Sequence, residues 1–115
     1  INTFLATKVV FFNELYEYFS KFGSDESWKK ITDAIKVDSR IGSTHMDVPG
    51  HDGKKGYGGA CFPKDTVALA KSGDFNMKSL DVLKAAIKTN NKIRKKYKDI
   101  DSREKDQNIS FDDKI

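Results

Sequence analysis

Residues 56–65 read Gly-Tyr-Gly-Gly-Ala-Cys-Phe-Pro-Lys-Asp, so the only cysteine of the chain, Cys61, follows three glycines and stands four residues before a carboxylate, Asp65. Gly56, Gly58 and Gly59 can take positive φ and admit other atoms close to the backbone. The stretch after Pro63 lacks Gly and Pro until Gly73, which predicts a helix over 63–72, opened by Pro63, stopped by Gly73, with Val67, Ala68 and Leu69 available for packing. Cys61 then sits just before a helix N-terminus, where unpaired N–H groups and the nearby Lys64 ammonium favour thiolate over thiol. A thiolate at the mouth of a glycine-rich loop is suited to covalent catalysis. The residues leave a second reading open, in which Cys61 is a small buried apolar side chain, Asp65 compensates a helix dipole and Lys64 is solvated.

The elements that must hold this stretch are helical. Phe4, Leu5, Val9, Phe12, Leu15, Tyr16 and Phe19 recur in steps of three and four, Phe11 widens the stripe, and a helix is expected over 2–22, with Gly23 as its stop. So wide an apolar face suggests a second burial surface, for which a dimer partner is the simplest candidate. Ser24 or Asp25 can cap a second helix over 26–37, with Trp28, Ile31, Ala34 and Ile35 inward. Residues 38–60 carry seven glycines or prolines by their spacing through Gly42, Pro49, Gly50, Gly53, Gly56, Gly58 and Gly59, and read as a functional loop or a linker. After a turn at 76–78, Ser79 is expected to cap a long helix over 79–98, with Leu80, Leu83, Ile87, Asn90 or Asn91 and Arg94 on one stripe. Residues 99–115 are charged and sparsely apolar, which predicts a poorly ordered tail. The expected fold is a small all-α domain over 1–98 with one long C-terminal helix and a Gly-rich active-site loop.

The chain has 115 residues, 21 basic and 17 acidic, for a net charge of +4. That mixed surplus does not itself indicate nucleic acid. The run Lys92-Ile-Arg-Lys-Lys-Tyr-Lys98 could contact nucleic acid, but it reads more simply as a solvated helix C-terminus. One cysteine excludes an internal disulfide and fits a reducing, cytoplasmic setting, and no apolar run reaches membrane-spanning length. His45 and His51 lack metal-ligand spacing, so no metal is expected. No G-x-G-x-x-G follows a strand-like run, so no dinucleotide site is expected in these residues. The chain opens at Ile1 inside a helical pattern, which reads as a piece of a longer protein.

The ten-residue cysteine motif closely resembles the active-site signature of the UDP-glucose/GDP-mannose dehydrogenase family. Arg40-Ile41-Gly42, Val48-Pro49-Gly50, and Asn2-Thr-Phe-Leu-Ala followed by Asn13-Glu14 match the same pattern in order, over about residues 1–95. The resemblance implies the central domain of an NAD-dependent enzyme that oxidises the C6 alcohol of a nucleotide sugar to a carboxylate. On this likeness Cys61 forms a thiohemiacetal and then a thioester. Asp65 corresponds to the catalytic aspartate, and Asn2 to an asparagine that can hydrogen-bond an oxyanion or water. The lysine partner would precede Ile1, and Lys8 is not its match. Arg40 corresponds to an arginine that reaches the substrate of the neighbouring subunit, while Tyr57, Gly58, Gly59 and Lys64 would meet the sugar, the glycine loop through its backbone. NAD would be bound mainly outside this chain, so the chain alone is expected to be inactive. A homodimer is implied. The alternatives are a non-enzymatic helical dimerisation module and a GDP-mannose or other nucleotide-sugar enzyme.

Overall fold

The computed structural model describes residues 1–23 and 25–112. It is helical throughout its regular elements: α1 (Asn2–Ser20), α2 (Asp25–Ile35), α3 (Cys61–Phe75), α4 (Asp81–Arg94) and α5 (Ser102–Asp106). The all-α expectation holds, with no strand among the described residues. The cap expected from Ser24 or the Asp25 side chain lies outside the described residues and side chains. No helix of the described residues is long and apolar enough to cross a membrane.

α1 is the central post, packed against α2, α3 and α4. Its buried positions are Ala6, Val10, Phe12 and Asn13. Ala6 and Val10 meet Tyr57 of the loop and Ala86 of α4, with Val9 and Phe62 at the edge. The two alanines keep the helix axes close, since a larger side chain at either would hold the backbones apart. A second cluster joins Phe12 of α1, Trp28 of α2 and Met46 of the loop. A third joins Ala70 of α3 to Leu83 and Ile87 of α4. Phe4, expected on the inner stripe, is mostly exposed, as is Phe11. α1 thus spends its smaller residues inward and several of its aromatics outward.

The bounds of α3 and α4 differ most from expectation. α3 begins at Cys61 rather than Pro63, and continues past Gly73 to Phe75. Gly73 is there for proximity: a Cβ on it would lie 2.6 Å from the Lys78 carbonyl and 2.8 Å from Leu80 Cγ. The inward residues of α3 are Pro63, Thr66 and Ala70, while Ala68 and Leu69 are exposed. α4 starts at Asp81 with Leu80 as its N-cap, and Ser79 bonds the Asp81 carboxylate at 2.6 Å instead of capping the backbone. It ends at Arg94, because Lys95–Tyr97 turn back toward the loop and the Tyr97 hydroxyl accepts the Lys55 N–H at 3.0 Å. Within the stretch read as a tail, α5 forms on a reciprocal cap between Asp101 and Glu104.

Candidate active site

The cysteine is carried by the first residue of α3, and its side chain is exposed. The buried-apolar alternative therefore does not describe Cys61. Because the helix starts at Cys61, Asp65 is one turn further on, and the two side chains share a face of α3. Asn2, the first residue of α1, donates from Nδ2 to Asp65 Oδ2 at 2.8 Å across 63 residues of sequence. The α1–α3 contact thus brings a thiol, a carboxylate and a carboxamide to one edge of the domain. Lys64 Nζ lies 3.5 Å from Asp65 Oδ1 and adds positive charge there.

The Asn2 hydrogen bond, with the Lys64 charge behind it, holds the Asp65 carboxyl below the ordinary aspartate value against a smaller opposing effect of desolvation. Asp65 is therefore a carboxylate at neutral pH, an acceptor and a base rather than an acid. Its folded-state pKa lies below the unfolded one, so the stabilisation is present at neutral pH and is lost as pH falls through the folded value. Asn2→Ala is expected to raise the Asp65 pKa toward the ordinary value and flatten that acid limb. A carboxyl titration by NMR that is identical in the variant would refute the role of Asn2.

The other predicted residues are placed differently. Arg40 grips Asp38 with Nε and Nη2 at 3.0 and 2.8 Å, and its side chain is 87% exposed. This pairing raises the Arg40 pKa and lowers that of Asp38. The adjoining turn is anchored by Lys8, which donates to the Ile41 carbonyl at 2.7 Å. Tyr57 is buried; its hydroxyl lies 3.4 Å from Thr66 Oγ1, and burial pushes the phenol pKa up. His45 stacks near Phe62, one residue past the thiol, and burial followed by the charge of Lys8 lowers its pKa.

The glycine loop is held by side chains rather than open to solvent. Gly56 N–H donates to Asn13 Oδ1 at 2.8 Å, Tyr57 N–H to Asn90 Oδ1 at 2.7 Å, and Gly59 N–H to Glu104 Oε2 at 2.8 Å. Asn90 Nδ2 returns a bond to the Tyr57 carbonyl at 3.0 Å, and Arg94 Nη2 one to the Gly56 carbonyl at 3.1 Å. Sugar recognition through the backbone of Gly56, Tyr57 and Gly59 needs donors that intramolecular acceptors occupy here. Arg94, read from the sequence as part of a solvated basic run, is buried and pairs with Asp52 at 2.9 Å. Asp52, Asp101 and Glu104 offer carboxylate oxygens within 4.8 Å of one another, with the Arg94 guanidinium against Asp52 and Glu104 as the compensating cation.

Sequence reasoning singled out none of Asn13, Glu104 or Asp52 for a role in the site. Two signals were available. A carboxamide on an apolar helical stripe, as at Asn13 and Asn90, usually marks a buried backbone partner. Asp101-Ser-Arg-Glu104 has capping-box spacing.

The helical domain thus presents a cysteine, a carboxylate and a carboxamide beside a buttressed glycine loop, a set of groups of the kind that covalent chemistry uses. A family model described as UDP-glucose/GDP-mannose dehydrogenase family, central domain, matches residues 1–92. The chain is 41% identical over 96 residues to UDP-glucose 6-dehydrogenase TuaD of Bacillus subtilis (strain 168), covering 81% of this chain and 19% of that protein. It is 37% identical over 89 residues to a UDP-glucose 6-dehydrogenase of Rickettsia bellii, covering 77% and 19%, and 44% identical over 71 residues to one of Rhizobium meliloti, covering 62% and 15%. The chain belongs to the UDP-glucose/GDP-mannose dehydrogenase family, and it spans about a fifth of the length of the curated relatives it matches.

Proposed function

We propose that the chain is the cysteine-bearing domain of a nucleotide-sugar 6-dehydrogenase acting on UDP-glucose, with Cys61 as nucleophile. The observation that carries this is the exposed thiol of Cys61 one helical turn from Asp65, itself fixed by Asn2. The names of the matched relatives favour UDP-glucose over GDP-mannose.

NAD supplies the hydride acceptor for the two oxidations, and these 115 residues carry no dinucleotide fingerprint to hold it. The chain's own residues act between and after those oxidations. The Cys61 sulfur adds to the C6 carbonyl carbon of the aldehyde, forming a C–S bond while the carbonyl oxygen takes up a proton. Asn2 stands beside Asp65, positioned to donate to that oxygen or to a water. Once the adduct has been oxidised to a thioester, Asp65 accepts a proton from the attacking water. The C–S bond breaks, the carboxylate leaves and the thiol is restored. The tether keeps the aldehyde from escaping between oxidations. Arg40, exposed on its Asp38 anchor, serves the site of a neighbouring subunit, Lys64 faces the substrate, and the protein works as a homodimer in the cytoplasm.

The isolated chain with NAD and UDP-glucose is expected to give no NADH above a Cys61→Ser control. Residues 1–92 grafted in place of the matching segment of the Bacillus relative should support turnover, and Cys61→Ser in that graft should lower kcat by roughly a thousandfold or more. Equal rates for the folded graft and its Cys61→Ser variant would refute the nucleophile and leave a helical dimerisation module.

A further inference from the structure

A cavity of about 520 Å³ lies between α3, α4 and the segment 107–112, and neither Cys61, Asp65 nor Asn2 lines it. It is therefore separate from the thiol–carboxylate edge. Its size falls within the range of pockets that take small organic ligands. Val67 of α3, Ile87 of α4, and Ile109 and Phe111 of the segment give it apolar walls. The last two come from beyond residue 92, where the family match ends.

Two polar groups at this cavity are left over from the fold. The first is the Tyr57 hydroxyl. The Tyr57 ring packs with Ala6, Val10 and Ala86, and its hydroxyl end reaches Thr66, which lines the cavity with it. The separation from Thr66 Oγ1 is 3.4 Å, whereas an O–H···O hydrogen bond spans about 2.5–3.0 Å. Thr66 gives its own single proton to the Phe62 carbonyl, at 2.7 Å. Tyr57 is only 5% exposed, and burial pushes its pKa up, so it is a protonated donor at neutral pH. A buried donor without a good acceptor, at the wall of a cavity, calls for an acceptor on whatever fills that cavity. The second group is Lys71, an exposed ammonium on the same wall with no ion partner among the described residues. The other charges lining the cavity are Lys64, which lies 3.5 Å from Asp65, and Asp112, whose carboxylate accepts from Ser110 at 3.0 Å. The charge without a counterpart is thus positive and belongs to Lys71.

We propose that this cavity binds a small apolar monocarboxylic acid, with its body between Val67, Ile87, Ile109 and Phe111, its carboxylate on Lys71, and an oxygen acceptor at its far end for the Tyr57 hydroxyl. Thr66 and Lys71 are five residues apart on α3, which sets the two polar ends of the ligand roughly 8 Å apart. A diphosphate brings more negative charge than one ammonium balances, so the cavity does not suit a nucleotide sugar or a dinucleotide. The site stands on α3, α4 and the segment after them, and holds whether or not Cys61 is the nucleophile.

The test titrates the full chain with 6-acetyl-2-naphthoate, which carries a ketone and a carboxylate at opposite ends of a flat body, and follows the methyl NMR signals of Val67, Ile87 and Ile109. These signals should shift together and saturate. 2-Naphthoate, which lacks the ketone, should bind about fivefold weaker, the scale of one hydrogen bond. Tyr57→Phe should bind the two naphthoates alike, because it removes only the hydroxyl. Lys71→Gln, on the exposed face of α3, should weaken both by about fivefold, and Cys61→Ser should bind both as the unaltered chain does. Tyr57→Phe should also melt within a few degrees of the unaltered chain, since its hydroxyl lacks a good partner in the fold. No saturable binding, shifts confined to other methyl groups, a ketone preference that survives Tyr57→Phe, or an affinity unchanged by Lys71→Gln overturns the proposal. So does a large loss of stability in Tyr57→Phe, which would give the hydroxyl to the fold.

Discussion

Arg94→Met is expected to cost roughly 3–5 kcal/mol of folding stability at neutral pH, the scale of breaking a buried ion pair by removing one partner. Methionine matches the length of the aliphatic stem, so the loss comes from the charge and its hydrogen bonds. Asp52, Asp101 and Glu104 would remain within 4.8 Å of one another without the buried cation, and the Gly56 carbonyl would lose its donor. In a domain of this size the melting midpoint should fall by at least roughly 10 °C. Adding Glu104→Gln removes one of the stranded charges and should restore part of the loss, with a coupling of about 1–3 kcal/mol. Thermal denaturation of the two single variants and the double variant measures both. A midpoint for Arg94→Met within a degree or two of the unaltered chain, or a double variant no better than Arg94→Met, would show that this cluster does not hold the loop.

The same cluster marks how far the sequence could be read. The cysteine motif is local, so its placement at a helix start was legible to within two residues. The apolar periodicity gave α1, α2 and α4 for the same reason. Which face of α1 turns inward was less legible, because hydrophobicity ranks Phe4 above Ala6 whereas close helix packing reverses the order: Ala6 is fully buried and Phe4 exposed. The Asn2–Asp65 bond joins the two ends of a 63-residue separation. No spacing rule reaches that far, and only resemblance paired those residues. The loop's contacts were hidden for a further reason. Asn13, Asn90, Arg94 and Glu104 are polar residues, of which only Asn90 and Arg94 were on an expected helical stripe, and each is buried because a glycine loop with few contacts of its own must find hydrogen-bond partners elsewhere. The charged composition after residue 98 likewise concealed α5, whose five residues are stabilised by what they touch.

Phe11→Lys is expected to turn a dimer into a monomer. Phe4, Phe11 and Tyr18 recur every seven residues along α1, with Phe22 one turn beyond Tyr18, and all four are more than half exposed. Seven residues are nearly two helical turns, so the three rings form one stripe on the side away from Ala6 and Val10. Tyr18 and Phe22 pack edge to face at 5.2 Å, making a continuous aromatic surface rather than isolated rings. A two-fold pairing of this stripe would cover each ring with its counterpart and give the proposed homodimer an isologous contact. Phe11 lies at the middle of the stripe, where an ammonium would be desolvated among aromatic rings and where central aromatic anchors carry most of the binding energy. Its loss should weaken association by roughly a hundredfold. Sedimentation equilibrium should give twice the 13.0 kDa chain mass for the unaltered protein and the single mass for Phe11→Lys, while Phe75→Lys, at the far end of α3, should leave the dimer intact. A monomeric unaltered chain at every accessible concentration, or a Phe11→Lys dimer of unchanged affinity, would remove the aromatic stripe as the dimer contact.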